Sequence, residues 1–307
     1  MTVREHFENS LIYKWNLKEY WDKGFKGQGI KVANFEYCYD KDHGQNVAET
    51  VKTYAPECEL VIWPKIKDVS PMSDNGENIV FPEFAKWCID NKVDIITSSL
   101  DWTADKEVEK EWVKKLYDAG IIFCNCAGNE SSNIKLEKGD KANRIDKGIV
   151  CVGSCMFSAT DKITYSNFSN YGTAVDVIGI GSGTPVLLEN GNMYSWSGTS
   201  AATPFIAGLL ATYKSYDKSL NSNNVMELFE KSHIKLTYKD MDYKVFILPE
   251  IKEGEIKMEE NKNEASSWAK EAWEKAIKLG VTDGTNPQGA ITREQVIVML
   301  DRLGLLK

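Results

Sequence analysis

Residues Tyr194–Gly208 read "YSWSGTSAATPFIAG", a Gly-Thr-Ser-Ala turn set directly before an apolar run. Ser200 stands at the junction, and Pro204 follows in what should be the first helical turn. Two readings of Ser200 compete. Ser and Thr are common helix N-caps and Gly198 suits a tight turn, so a cap needs nothing else in the chain. A nucleophile needs a base to take its proton, a group to orient that base, and a donor for the oxyanion. The rest of the sequence must supply those partners or leave Ser200 a cap.

The surrounding pattern sets where such partners fall. Five near-continuous apolar runs read as strands: "IKVANFEY" (Ile30–Tyr37), "LVIW" (Leu60–Trp63), "VDIITSSL" (Val93–Leu100), "IIFCNCAG" (Ile121–Gly128) and "IVCVGSC" (Ile149–Cys155). Helix-period stretches such as "NIVFPEFAKWCIDN" and "DKEVEKEWVKKLYDAG" lie between most of them. Strands apolar on both faces, alternating with helices, predict an α/β fold: a doubly wound parallel sheet with helices on both faces. After Lys235 the pattern changes to a closing strand pair, and a polar linker at Glu259–Ser266 precedes two amphipathic helices. The second of these opens on a Thr292/Gln295 capping box. The expected division is a domain at 1–250, a charged linker at 251–265 and a small helical module at 266–307.

Composition narrows the function classes. A net charge of −8 over 307 residues, with no basic stripe, argues against nucleic acid or an anionic membrane surface as partner. The opening residues carry scattered charges and no signal-peptide core, and no apolar stretch reaches membrane-spanning length, so a cytoplasmic protein is expected as synthesised. Seven cysteines, an odd number without a CxxC or His/Cys cluster, point to buried reduced thiols rather than disulfides or a zinc site.

Three histidines are present. His6 lies in a polar N-terminal stretch and His233 near a helix end. His43 opens an expected helix just after the first strand, beside Gly44. In an open parallel sheet the carboxyl ends of strands are where reacting groups collect, and Glu36 lies at such an end.

In chain order, "HGQNVAE", "APECELVIWPK", "SSL", "CAGNE", "IVCVGSC" and "SGTSAATPFIAG" resemble the successive motifs of the subtilisin-like serine proteases. The resemblance covers Ile12 to Tyr216. "YKWNLKEYWDKGFKGQGIKVANFEY" is also similar to the opening of that family's mature enzymes, which implies that no propeptide is made. Carried over, Ser200 matches the nucleophile and His43 the general base. Asn129 matches the oxyanion side chain, with the Ser200 N–H as second donor. The helix dipole would favour charge developing at Ser200, and His43 would take and return its proton.

The third triad member departs from the pattern. Glu36 stands where the family has aspartate, and it precedes His43 by only seven residues, which implies a deleted hairpin or loop. Glutamate can accept from the imidazole, but its extra methylene moves the acceptor unless the backbone retreats, and a misplacement of ~1 Å can cost about 100-fold. Asp40 and Asp42 are the alternatives. The same resemblance implies that peptide or protein substrate pairs as an added strand along Ser99 and Leu100, with Ala127 and Gly128 across the pocket. Asp101 and Trp102 replace the usual glycines; they either shape the cleft towards basic substrates or form a surface turn.

The family's calcium loop is missing between "VAETVKTYAPE" and the next strand, so no metal and no cofactor is expected. "WAKEAWEKAIKLGVTDGT" and "ITREQVIVMLDRLGLL" resemble one S-layer-homology unit of bacterial or phage wall enzymes. Such a unit would bind cell-wall polymer weakly or self-associate through Trp268 and Trp273, although aromatics at helical spacing also suit a core. Three functions follow: an endopeptidase, a degenerate peptide-binding scaffold, or a wall-associated anchor.

Overall fold

The computed structural model describes residues 15–36, 43–63, 81–100, 107–135, 148–157, 162–188, 190–251 and 270–278. The chain divides into two compact units, Met1–Ile251 and Lys252–Lys307.

In the first unit the chain runs α1 (Leu17–Asp22), β1 (Lys31–Asn34), α2 (His43–Tyr54), β2 (Glu59–Ile62), α3 (Phe81–Asp90), β3 (Ile95–Ser98), α4 (Glu107–Asp118) and β4 (Ile122–Cys126). It continues through β5 (Val150–Phe157), β6 (Ile163–Tyr165), β7 (Val177–Ser182), β8 (Thr184–Leu187) and β9 (Met193–Trp196) to α5 (Thr199–Tyr216). α6 (Val225–Lys231), β10 (His233–Tyr238) and β11 (Met241–Phe246) close it.

The main sheet is ordered β10-β11-β7-β5-β4-β3-β1-β2, with β6 added antiparallel to β5. Every neighbouring pair from β11 to β2 is parallel, and β10 and β11 form the antiparallel closing hairpin. The period-2 alternation of side chains distributes each apolar run over both faces. Val32, Ile95, Ile122 and Cys124 pack with Val51 and Tyr54 of α2 and with Phe205 and Leu209 of α5. Ala33, Phe35, Ile96 and Phe123 pack on the other side with Phe84 of α3 and Leu116 of α4. Both faces are therefore covered, as the near-continuous apolar strands require. α5 is buried almost all round and serves as the spine of one layer.

β1 is the turning point of the winding. β2 lies on one side of it, whereas β3, β4, β5 and β7 extend from the other. The carboxyl ends of β1 and β3 thus border the crevice where such folds hold their ligands.

Several features differ from the sequence expectations. β7 and the β8–β9 hairpin, a separate two-stranded sheet, add strands to the five expected runs. The closing hairpin begins at His233, earlier than the pattern change after Lys235 indicates, so His233 opens β10. Pro204 sits in the second turn of α5, because the helix starts at Thr199. The six described cysteines are all free and buried. Burial pushes four of these thiols up, those of Cys88 and Cys124 as well as Cys58, to about 11, and Cys155, to about 12, which removes these four as nucleophiles at neutral pH.

Among the described residues no helix is long and apolar enough to cross a membrane. In the second unit the described part is one helix, α7 (Lys270–Lys278). The Glu259–Ser266 linker, Trp268 and the Thr292/Gln295 capping box lie outside the described residues, as do Asp40, Asp42, Asp101 and Trp102.

Candidate active site

Four elements deliver the sequence-selected residues to one end of the sheet. Glu36 follows β1, His43 is the first residue of α2, Ser99 and Leu100 follow β3, and Ala127, Gly128 and Asn129 follow β4. Ser200, the second residue of α5, completes the set.

The Glu36 side chain is 0% exposed and that of His43 is 34% exposed, with Glu36 Oε2 lying 3.4 Å from His43 Nδ1. The second carboxylate oxygen, Oε1, accepts a short hydrogen bond from the Ser99 backbone N–H. The longer glutamate side chain therefore spans from β1 to both the base and the end of β3. Burial pushes the Glu36 carboxyl above its ordinary value, and the bonds from His43 and Ser99 offset only part of that rise.

Pro204 has a direct consequence at Ser200. In an α-helix the N–H of residue 204 would donate to the carbonyl of residue 200, and proline has no N–H to give. The Ser200 carbonyl instead accepts from Ser99 Oγ at 3.0 Å. The strand end that holds Glu36 is thereby tied to the turn that carries Ser200. Gly198 precedes that turn with φ 138°, a conformation reserved in practice for glycine.

Asn129 is held by Thr199. Its Oδ1 accepts from the Thr199 backbone N–H at 2.9 Å and from Thr199 Oγ1 at 3.0 Å. The same Thr199 oxygen accepts the Gly128 N–H at 3.2 Å. With the carbonyl side of the amide committed, Nδ2 is turned the other way. A Cβ placed on Gly198 would lie 3.5 Å from the Ser200 backbone nitrogen and 3.9 Å from Asn129 Nδ2, so the two donors border one small space beside the serine. That arrangement suits an oxygen bearing negative charge.

The backbone groups of Ala127 and Gly128, expected across the pocket, are engaged within the protein. Ala127 N–H donates to Val152 O (2.9 Å), Ala127 O accepts from Asn170 Nδ2 (2.9 Å), and Gly128 O accepts from Asn170 N–H (3.0 Å). The bonded groups are already paired within the protein. Leu100 is buried, and its carbonyl accepts from Asn125 Nδ2 at 3.1 Å. Sequence reasoning missed Thr199 and Asn125, although both stand inside or beside the quoted motifs; their roles depend on contacts across long stretches of chain. His233 stands apart from the set, its Nδ1 2.9 Å from the Phe229 carbonyl.

No cluster of three or more His, Cys, Asp or Glu able to hold a metal occurs among the described residues.

Comparison with known proteins bears on the family and the fold. Residues 28–268 match the family model described as the subtilase family, Peptidase_S8. The major intracellular serine protease of Bacillus subtilis is 26% identical, the alignment covering 71% of this chain and 78% of that protein. An intracellular serine protease of Paenibacillus polymyxa is 30% identical over 62% of this chain and 55% of its own length. Among solved structures, a cold-adapted subtilisin-like serine proteinase superposes with a TM-score of 0.54 at 21% identity, covering 74% of this chain and 92% of that one. At that identity the match establishes the fold.

Proposed function

This chain belongs to the subtilase family of serine proteases, and from that premise we propose that it is an endopeptidase working through a Glu36–His43–Ser200 triad. The observation that carries the reading is the buried Glu36 carboxylate facing His43 Nδ1 at 3.4 Å. A carboxylate there accepts from Nδ1–H and leaves Nε2 as the basic nitrogen.

In this mechanism Ser200 Oγ attacks the scissile carbonyl while His43 takes its proton. The tetrahedral oxygen develops its charge beside the Ser200 N–H and Asn129 Nδ2, and the N-terminal end of the α5 dipole adds to that field. His43 returns the proton to the leaving amine, giving an acyl-enzyme and the first product. Water, deprotonated by His43, then releases the second product and restores Ser200. Glu36 stays ionised throughout and stabilises the imidazolium. Extended substrate enters along Ser99 and Leu100.

Peptide hydrolysis by wild type, His43→Ala and His233→Ala tests the assignment. Loss of nearly all turnover in the first variant alone supports it, and retained turnover in His43→Ala refutes it. For the C-terminal unit the proposal is separate: Ser266–Lys307 binds wall polymer weakly or self-associates. Pull-down on purified wall sacculi, with and without that segment, tests this, and equal binding by the two chains refutes it.

A further inference from the structure

A contact of 3.4 Å between His43 Nδ1 and Glu36 is longer than the 2.7–2.9 Å usual for charge-assisted bonds. The imidazole is also one-third exposed and sits on the first residue of its helix. At that length the orientation of the ring depends on its other contacts as well.

The Trp196 ring stands at 90° to the His43 ring with centroids 5.7 Å apart. Trp196 is itself fixed to the helix that carries His43. Its Nε1–H donates to Thr50 Oγ1 at 3.0 Å, and the Thr50 hydroxyl donates to the Asn46 carbonyl at 2.6 Å. Two residues earlier on β9, the Tyr194 hydroxyl lies 2.8 Å from both Asn46 Oδ1 and Glu49 Oε2. On β8, the Leu187 N–H donates to Thr53 Oγ1 at 2.9 Å. The hairpin is thus strapped along α2, and its last strand residue is pressed against the base.

We propose that Trp196 is a positioning residue for His43: it walls one side of the imidazole and favours the imidazolium formed while the Ser200 proton is held. The inference rests on the protease reading. Edge-to-face aromatic contacts of this kind correspond to a roughly three- to tenfold effect on rate.

The test uses the full chain as wild type, Trp196→Leu, Trp196→Phe and Thr50→Val. Two rates are measured: peptide hydrolysis, and labelling of Ser200 by diisopropyl fluorophosphate, a probe too small to need the substrate cleft. Trp196→Leu is expected to slow kcat and labelling together by about three- to tenfold, with KM changing less than either. Trp196→Phe should recover most of the loss, and Thr50→Val should fall between. A rise in KM with the labelling rate unchanged would make Trp196 a substrate contact and overturn the inference.

Tryptophan emission gives a readout that needs no turnover. The chain has nine tryptophans, so the signal is the difference between wild type and Trp196→Phe. An imidazolium quenches an indole that it touches, so this difference should fall as His43 protonates and should stop titrating in His43→Ala. The titratable groups that the described contacts place around the pair are Glu36 after β1, Glu49 on α2 and Tyr194 on β9, which is why the histidine control is required. A flat difference signal overturns the ring contact. A titrating signal in a wild type that takes no label would refute the positioning role together with the protease reading.

Discussion

Replacing Glu36 by aspartate restores the residue usual in the family, and the geometry predicts that it lowers activity. The carboxylate now reaches His43 at 3.4 Å and also holds the Ser99 N–H. Removing one methylene withdraws it by about 1.5 Å, to roughly 5 Å from the ring, because Glu36 is buried between fixed strand ends and cannot follow. At an effective dielectric of ~20, the attraction between carboxylate and imidazolium falls from about 4.9 to about 3.4 kcal/mol. The difference of about 1.5 kcal/mol is roughly tenfold in rate, and the lost orientation of the imidazole adds up to another order of magnitude. Glu36→Asp should therefore reduce kcat about 10- to 100-fold with KM nearly unchanged. Steady-state hydrolysis of a chromogenic peptide, with circular dichroism to confirm the fold, measures both. Equal or higher kcat in the aspartate variant would refute the claim that the backbone is matched to glutamate.

Three further outcomes follow from the same geometry. Asn129→Ala should lower kcat by about 10²–10³ with little change in KM, the cost found on removing the equivalent kind of donor from a subtilisin; a change confined to KM would make Asn129 a binding residue. Because folding raises the Glu36 pKa, its contribution to stability is fully present below the ordinary carboxylate range and is lost as pH rises through the raised value. Melting temperatures of wild type and Glu36→Gln should thus diverge in favour of the variant as pH rises, while the acid limb of kcat/KM lies above the ordinary carboxylate range. A variant that loses ground with rising pH would contradict this. EDTA should leave melting temperature and turnover unchanged, and a large fall in either would reveal a stabilising ion.

The layered architecture was legible because β1, β3, β4 and β5 are buried on both faces and so spell continuous apolar runs. β7 was hidden by the glycines of "VIGIGS". A Cβ on Gly179 would lie 2.8 Å from the Ala202 carbonyl, so the strand gives up side chains to let α5 pack against it. The β8–β9 hairpin lacks an apolar alternation because much of its hold on α2 is polar, through Thr53, Asn46, Glu49 and Thr50.

At the site, Ser200, His43 and Asn129 stood out from the order of the motifs. Their supports did not. Thr199 orients Asn129 across 70 residues of sequence, and Trp196 reaches Thr50 across 146. Pro204 was visible as an oddity of the helix start, but its effect, a serine carbonyl released to Ser99 Oγ, exists only once β3 and α5 meet.

The most direct measurement of the central claim is the mass of the intact chain after exposure to a fluorophosphonate, for wild type beside Ser200→Ala. The expected result is one adduct per wild-type chain, located on Ser200, and none on the variant. Unlabelled wild type, or an adduct that persists in Ser200→Ala, would contradict it.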